Sequence, residues 1–243
     1  MPLADDSEVV DLALWRAVEA QHVVSTMPLV DTRAEQRLLE DLIENAKPPL
    51  VPGSSRLHYL LATPFRYRNP WGSRFRAPLD AGILYGAEEQ RTACAELGYW
   101  RWRFLLDSPS LSRLEPAPQT VFQCLVQGRA IDCREPPLDA QRAAWTDPLD
   151  YVACQALGRQ AREADMAIIR YESVRDPLHG GCGAVLTPDA IAHPAPVAQE
   201  AWHLMATRER VRWWRTEWAR SEGAFDFDVV ACEWARPATP PPA

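Results

Sequence analysis

Residues 65–106 read FRYRNPWGSRFRAPLDAGILYGAEEQRTACAELGYWRWRFLL, and no other stretch constrains the fold as much. An arginine-bearing loop broken by Pro and Gly leads into a short apolar strand at residues 82–85. A helix over residues 88–106 follows at once, with Ala93, Leu97, Trp100 and Phe104 on one face. Glu88 and Glu89 are first-turn acids that suit a helix N-terminus, whereas Glu96 falls beside the apolar face near mid-helix. A strand passing directly into a long helix puts both element types in one unit, as an α+β fold requires.

The same block concentrates Arg66, Arg74, Arg76, Tyr85 and Glu96. Arginine forks clamp pyrophosphate bidentately, a tyrosine stacks on a flat heterocycle, and a carboxylate stabilises positive charge developing on a ribose. Each residue also has a plain structural alternative. Arg74 could pair with Asp80 on the surface, Arg66 and Arg76 could solvate a loop, and Tyr85 could be a core tyrosine. Glu96 is the hardest to explain away, because a carboxylate amid Ala93, Leu97 and Trp100 is costly to bury unless it is paired or functional.

Ahead of this block, Leu12, Trp15 and Val18 predict a helix over residues 11–24. Thr32 and Glu35 form a capping box for a second helix, whose apolar face is Leu38, Leu39, Leu42 and Ile43. Pro48, Pro49, Pro52 and Gly53 end it. Residues 1–55 therefore read as a helical extension packed on the rest, residues 56–236 as the main domain, and residues 237–243 as a disordered Pro-rich tail. Within the main domain, residues 58–61, 119–127 and 166–171 read as strands and residues 150–164 as a helix. Gly180 to Gly183 reads as a tight turn, and Trp202, Leu204, Ala206, Val211 and Trp213 alternate as in a hairpin. The Trp-rich run to Trp218 is also compatible with a helix.

The balance of 26 basic to 33 acidic residues, formally −7, disfavours an extended nucleic-acid surface. Six cysteines without a C-x-x-C pair read as reduced, buried thiols. His58, His179, His193 and His203 lack metal-ligand spacing, so no metal is assigned, and no G-x-S-x-G elbow marks a serine hydrolase. With no basic leader and no apolar run long enough to span a bilayer, a cytoplasmic protein is expected.

Taken jointly, Arg66-Tyr67, the Gly72-Ser73-Arg74 turn, the Ile83-Leu84-Tyr85 strand, the helix with Glu96, and Ser173 after an apolar strand resemble the RES domain family. Eleven residues separate Arg74 from Tyr85 and Tyr85 from Glu96. The likeness spans residues 57–186. It implies an ADP-ribosyltransferase-like α+β fold, a mixed, bent sheet of short strands with helices around it, and the toxin of a toxin–antitoxin pair that consumes NAD. By that resemblance Glu96, Tyr85 and Arg74 are the catalytic set, and Arg66, Tyr67, Arg74, Tyr85 and Ser173 hold NAD. The implied partner is an Xre-type antitoxin, with phosphate, water or a protein as the ADP-ribose acceptor. Two alternatives stand beside it: a mono-ADP-ribosyltransferase acting on one metabolic protein, and a binding module without catalysis. Homodimerisation is left open.

Overall fold

The computed structural model describes residues 7–20, 30–216 and 224–235. The fold is α+β, as expected. Eight strands form one mixed sheet in the order β1-β2-β5-β4-β3-β6-β7-β8. They are β1 Glu8–Glu19, β2 Leu84–Ala87, β3 Leu114–Asp132, β4 Ile168–Glu172, β5 Gly181–Val185, β6 Ala198–Ala206, β7 Arg210–Arg215 and β8 Ala224–Asp228. The helices are α1 Arg33–Ala46, α2 Tyr59–Arg66, α3 Gln90–Leu106, the single turn α4 Arg142–Trp145, and α5 Val152–Glu163.

The long strand β3 organises the sheet. One edge carries β1 antiparallel from Glu8↔Ala130 to Glu19↔Gln119. The other carries β6 along its first half and then β4, in parallel, at Ala130↔Ile168 to Asp132↔Arg170. From β4 the pairing runs through β5 to β2, and the single pair Trp15↔Ala87 returns it to β1. Five strands thus close into a ring, while β6, β7 and β8 continue outward as an antiparallel meander.

The helix expected over residues 11–24 is corrected where it can be followed, since residues 8–19 are strand β1, and residues 21–24 lie outside the described residues. Val10, Leu12 and Leu14 are also spaced by two, and that alternation prevails because β3 offers a complete ladder to pair with. Residues 58–61 are corrected the other way, from strand to the start of α2. Leu57, Leu60, Leu61 and Phe65 follow helical spacing and are all buried, and His58 caps the first turn. Gly181 to Gly183 are not a turn but strand β5. Glycine is needed there because a Cβ on Gly183 would lie 2.7 Å from Leu14 Cδ1, and one on Gly86 would lie 2.9 Å from Leu14 Cβ.

The capping box of α1 forms as read, with Thr32 Oγ1 accepting from Glu35 N and Glu35 Oε2 accepting from Thr32 N, each at 3.1 Å. Its apolar face does not pack on the core as expected: Leu38, Leu42 and Ile43 are exposed. The strand over 119–127 lies inside β3, the helix over 150–164 is α5, the strand over 166–171 is β4, and the Trp202 to Trp213 hairpin is β6–β7. Trp218 and the tail from Pro237 lie outside the described residues. Among the described residues, no helix is long and apolar enough to cross a membrane.

Candidate active site

A cavity of about 410 Å³ opens where β1, β2 and α3 meet the loop between α2 and β2. Arg16 comes from β1, Ser73, Arg74 and Arg76 from the loop, Tyr85 from β2, and Arg175 from the segment after β4. Helix α3 turns Ala93, Glu96, Leu97 and Trp100 toward it. That stripe is the one read from sequence as a core face. Of that stripe only Ala93 belongs to the core, which the helix completes through Cys94, Ala95, Gly98, Tyr99, Trp102 and Leu105, leaving Trp100 and Phe104 exposed. An apolar face that lines a cavity has the same periodicity as one that lines a core.

Glu96 is held by Ser173, whose Oγ lies 2.5 Å from Glu96 Oε1. Ser173 is fully buried and its oxygen also accepts from the amides of Arg175 (3.1 Å) and Asp176 (3.0 Å). With both lone pairs used, its single proton points at the carboxylate. Ser173 is not in the cavity wall; it stands behind Glu96 and fixes it.

Tyr85 has its hydroxyl occupied, 2.9 Å from Ser73 Oγ and accepting from Phe75 N at 3.1 Å. Burial pushes the phenol up, against the lowering effect of those two bonds and of Arg76 and Arg74. The ring is thereby a fixed neutral plate in the wall. Arg74 is buried, and its Nη1 donates to the carbonyls of Trp145 (2.8 Å) and Asp147 (3.0 Å) while the guanidinium sits 4.7 Å from the Tyr151 ring centroid. Burial works to lower its pKa, but Tyr151, Tyr171, Cys154 and Glu96 outweigh this and raise it. Arg76 donates to the carbonyls of Asn69 (3.1 Å) and Trp71 (2.6 Å), stapling the loop.

Arg66 and Tyr67 are not brought to the cavity. They end α2, where Arg66 Nε donates to Pro48 O at 2.5 Å and Tyr67 is exposed. The structure supplies two other arginines that sequence reasoning missed. Arg16 donates from Nη1 to Tyr85 O at 2.6 Å, and its Nε is buried without a hydrogen-bond partner. Burial lowers its pKa against the opposing influence of Cys124, Tyr171 and Tyr85. Arg175 lies 3.7 Å from the Tyr99 ring centroid and donates to Pro148 O and Tyr151 Oη. A signal for Arg16 was present, as an arginine between Leu14 and Ala17 in an alternating segment, but the helical reading concealed it.

Among the described residues, none of Arg16, Arg74, Arg76 or Arg175 forms an ion pair with a carboxylate. Four guanidiniums thus face one carboxylate, Glu96, on a chain of net charge −7. Buried cations without counterions are costly, and an anionic ligand would complete them. The lining offers no set of metal donors.

The RES domain model matches residues 48–206. The chain belongs to the RES domain family. The match covers the loop, β2, α3, β4 and Ser173, and begins after the strand that carries Arg16. Among solved structures, the RES protein is similar to a chain of the M. tuberculosis MbcT–MbcA toxin–antitoxin complex, with TM-score 0.47 and 12% identity over 93% of this chain and 90% of that one. No curated protein matches the sequence.

Proposed function

We propose that this RES protein cleaves the nicotinamide glycosidic bond of NAD, and acts in the cytoplasm as the toxin of a toxin–antitoxin pair. The observation that carries the reading is the charge of the cavity, in which four arginines without ion-pair partners surround one positioned carboxylate. RES toxins act on NAD, and a dinucleotide supplies the pyrophosphate such a cavity lacks.

The chemistry follows from where charge moves. As the C1′–N bond breaks, nicotinamide takes the electron pair and leaves neutral, so it needs no proton. Positive charge then appears on the ribose, where Glu96, aimed by Ser173, stabilises it more than the ground state. Arg16 and Arg74 hold the pyrophosphate, replacing the Arg66 role implied by resemblance, and the Tyr85 ring backs the nicotinamide. A pyrophosphate brings two negative charges and Glu96 a third, fewer together than the four guanidiniums present. The excess favours inorganic phosphate as the acceptor. Phosphate forms the new C1′–O bond, giving a phosphorylated ADP-ribose, and nicotinamide and a proton are released.

The test is to incubate the purified protein with NAD, with and without phosphate, and identify products by mass spectrometry. Phosphate-dependent release of nicotinamide is expected. Glu96→Gln keeps size and removes charge, and should lower turnover by roughly two to three decades with the fold intact. NAD left untouched by wild-type protein overturns the reading.

A further inference from the structure

We propose that the exposed indoles of Trp71 and Trp100 form a seat for the adenine ring at the mouth of the cavity. The proposal deepens the reading of this cavity as an NAD site and rests on it. Trp71 is 76% exposed and Trp100 52% exposed, yet both border the same cavity. Scattered surface hydrophobes need no explanation, but two open indoles at one mouth are a stacking surface.

Size places the adenine there. About 410 Å³ is in the lower part of the range that drug-sized ligands fill, and a dinucleotide is larger than such ligands. If Glu96 marks the scissile ribose, the nicotinamide end fills the interior and the other base must lie over the rim. Trp100 stands one helical turn, about 5.4 Å, beyond Glu96 on the same face of α3. Its neighbour Arg175 lies 5.9 Å from the Trp100 ring centroid and steadies one face of that indole.

The loop that carries Trp71 is built to be rigid. Arg76 bonds the carbonyls of Asn69 and Trp71, Trp71 N donates to Asn69 Oδ1 at 3.0 Å, and Ser73 N donates to Arg76 O at 2.7 Å. Arg76 is therefore a positioning residue whose hydrogen bonds are spent on presenting an indole. A platform fixed before the ligand arrives loses little entropy on binding.

The experiment is calorimetry with AMP and with ribose 5-phosphate on wild type, Trp71→Ala, Trp100→Ala, and the two phenylalanine variants. Each alanine variant should weaken AMP roughly tenfold, each phenylalanine should restore most of it, and ribose 5-phosphate should respond to neither. The preference for NAD over nicotinamide mononucleotide should fall in step. Equal losses for AMP and ribose 5-phosphate, or AMP binding indifferent to both indoles, overturn the seat. A protein that binds AMP through the indoles but leaves NAD intact keeps the seat and loses the proposed reaction. One that consumes NAD with AMP indifferent to the indoles keeps the reaction and loses the seat.

Discussion

Ser173 and Glu96, 77 residues apart in sequence, meet at 2.5 Å with the serine as donor. Neither residue explains the other alone: the serine is buried behind the cavity wall, and among the described residues it is the one that fixes the carboxylate by a hydrogen bond. The pair joins the end of β4 to the middle of α3, so the orientation of Glu96 depends on the register of the whole ring of strands.

Ser173→Ala should therefore act mainly on kcat. Removing the donor leaves Glu96 charged but unaimed, and turnover should fall by about one to two decades, since orientation and preorganised charge both suffer. The amides of Arg175 and Asp176 also lose their acceptor, at a cost of about 1–3 kcal/mol each. Steady-state kinetics and urea unfolding separate the two effects; an unchanged kcat would falsify the positioning role.

The arginines can be ranked by charge and by fork. Arg16→Ala and Arg74→Lys should each weaken NAD binding at least tenfold, the first by losing a buried cation and the second by losing bidentate geometry. Arg66→Ala should leave affinity unchanged, because its guanidinium is engaged by Pro48 outside the cavity. Calorimetry with NAD decides. Equal losses at Arg16 and Arg66 would place the pyrophosphate elsewhere.

All six cysteines are free and buried, and burial raises the thiol pKa of each, to about 11 at Cys124 and Cys232. Thiolate, not thiol, is the nucleophile, so a disulfide reagent at pH 8 should react slowly with native protein and with all six thiols after unfolding. Unfolded thiols ionise near 9.0 while the folded ones stay protonated, so their contribution to stability is complete below that pH and is lost as pH rises toward 11. Urea unfolding between pH 8 and pH 11 should show the decline, and a flat profile would contradict it.

In cells, expression of this chain alone should arrest growth with falling NAD. Co-expression of the neighbouring reading frame should restore growth and give a co-purifying complex. The Glu96→Gln variant should be harmless at equal expression. Steady NAD and normal growth on strong expression of folded wild-type protein would defeat the toxin assignment.

Local chemistry made part of this protein legible. The α1 capping box, the α3 helix, the β6–β7 hairpin and the serine following β4 all rest on contacts within a few residues, which spacing and residue type report directly. The loop, β2 and α3 lie close in sequence, so residue type and spacing suffice to group Arg74, Tyr85 and Glu96. The ladder between β1 and β3 could not be read this way. Its partners lie about a hundred residues apart, and only that ladder turns residues 8–19 into strand and carries Arg16 to the cavity. For the same reason Arg66 fell outside: an arginine near the motif in sequence sits at the end of α2, directed to Pro48. Hydrophobic spacing marked the Ala93, Leu97 and Trp100 stripe as apolar, and only the placement of neighbouring elements turned its Trp100 end out of the core and into the wall of a cavity. Sequence alone determined the α1 cap, helix α3 and the grouping of Arg74, Tyr85 and Glu96; the closure of the sheet brought Arg16 to them and left Arg66 out, because long-range pairing follows the complementarity of distant strands and leaves no local signature.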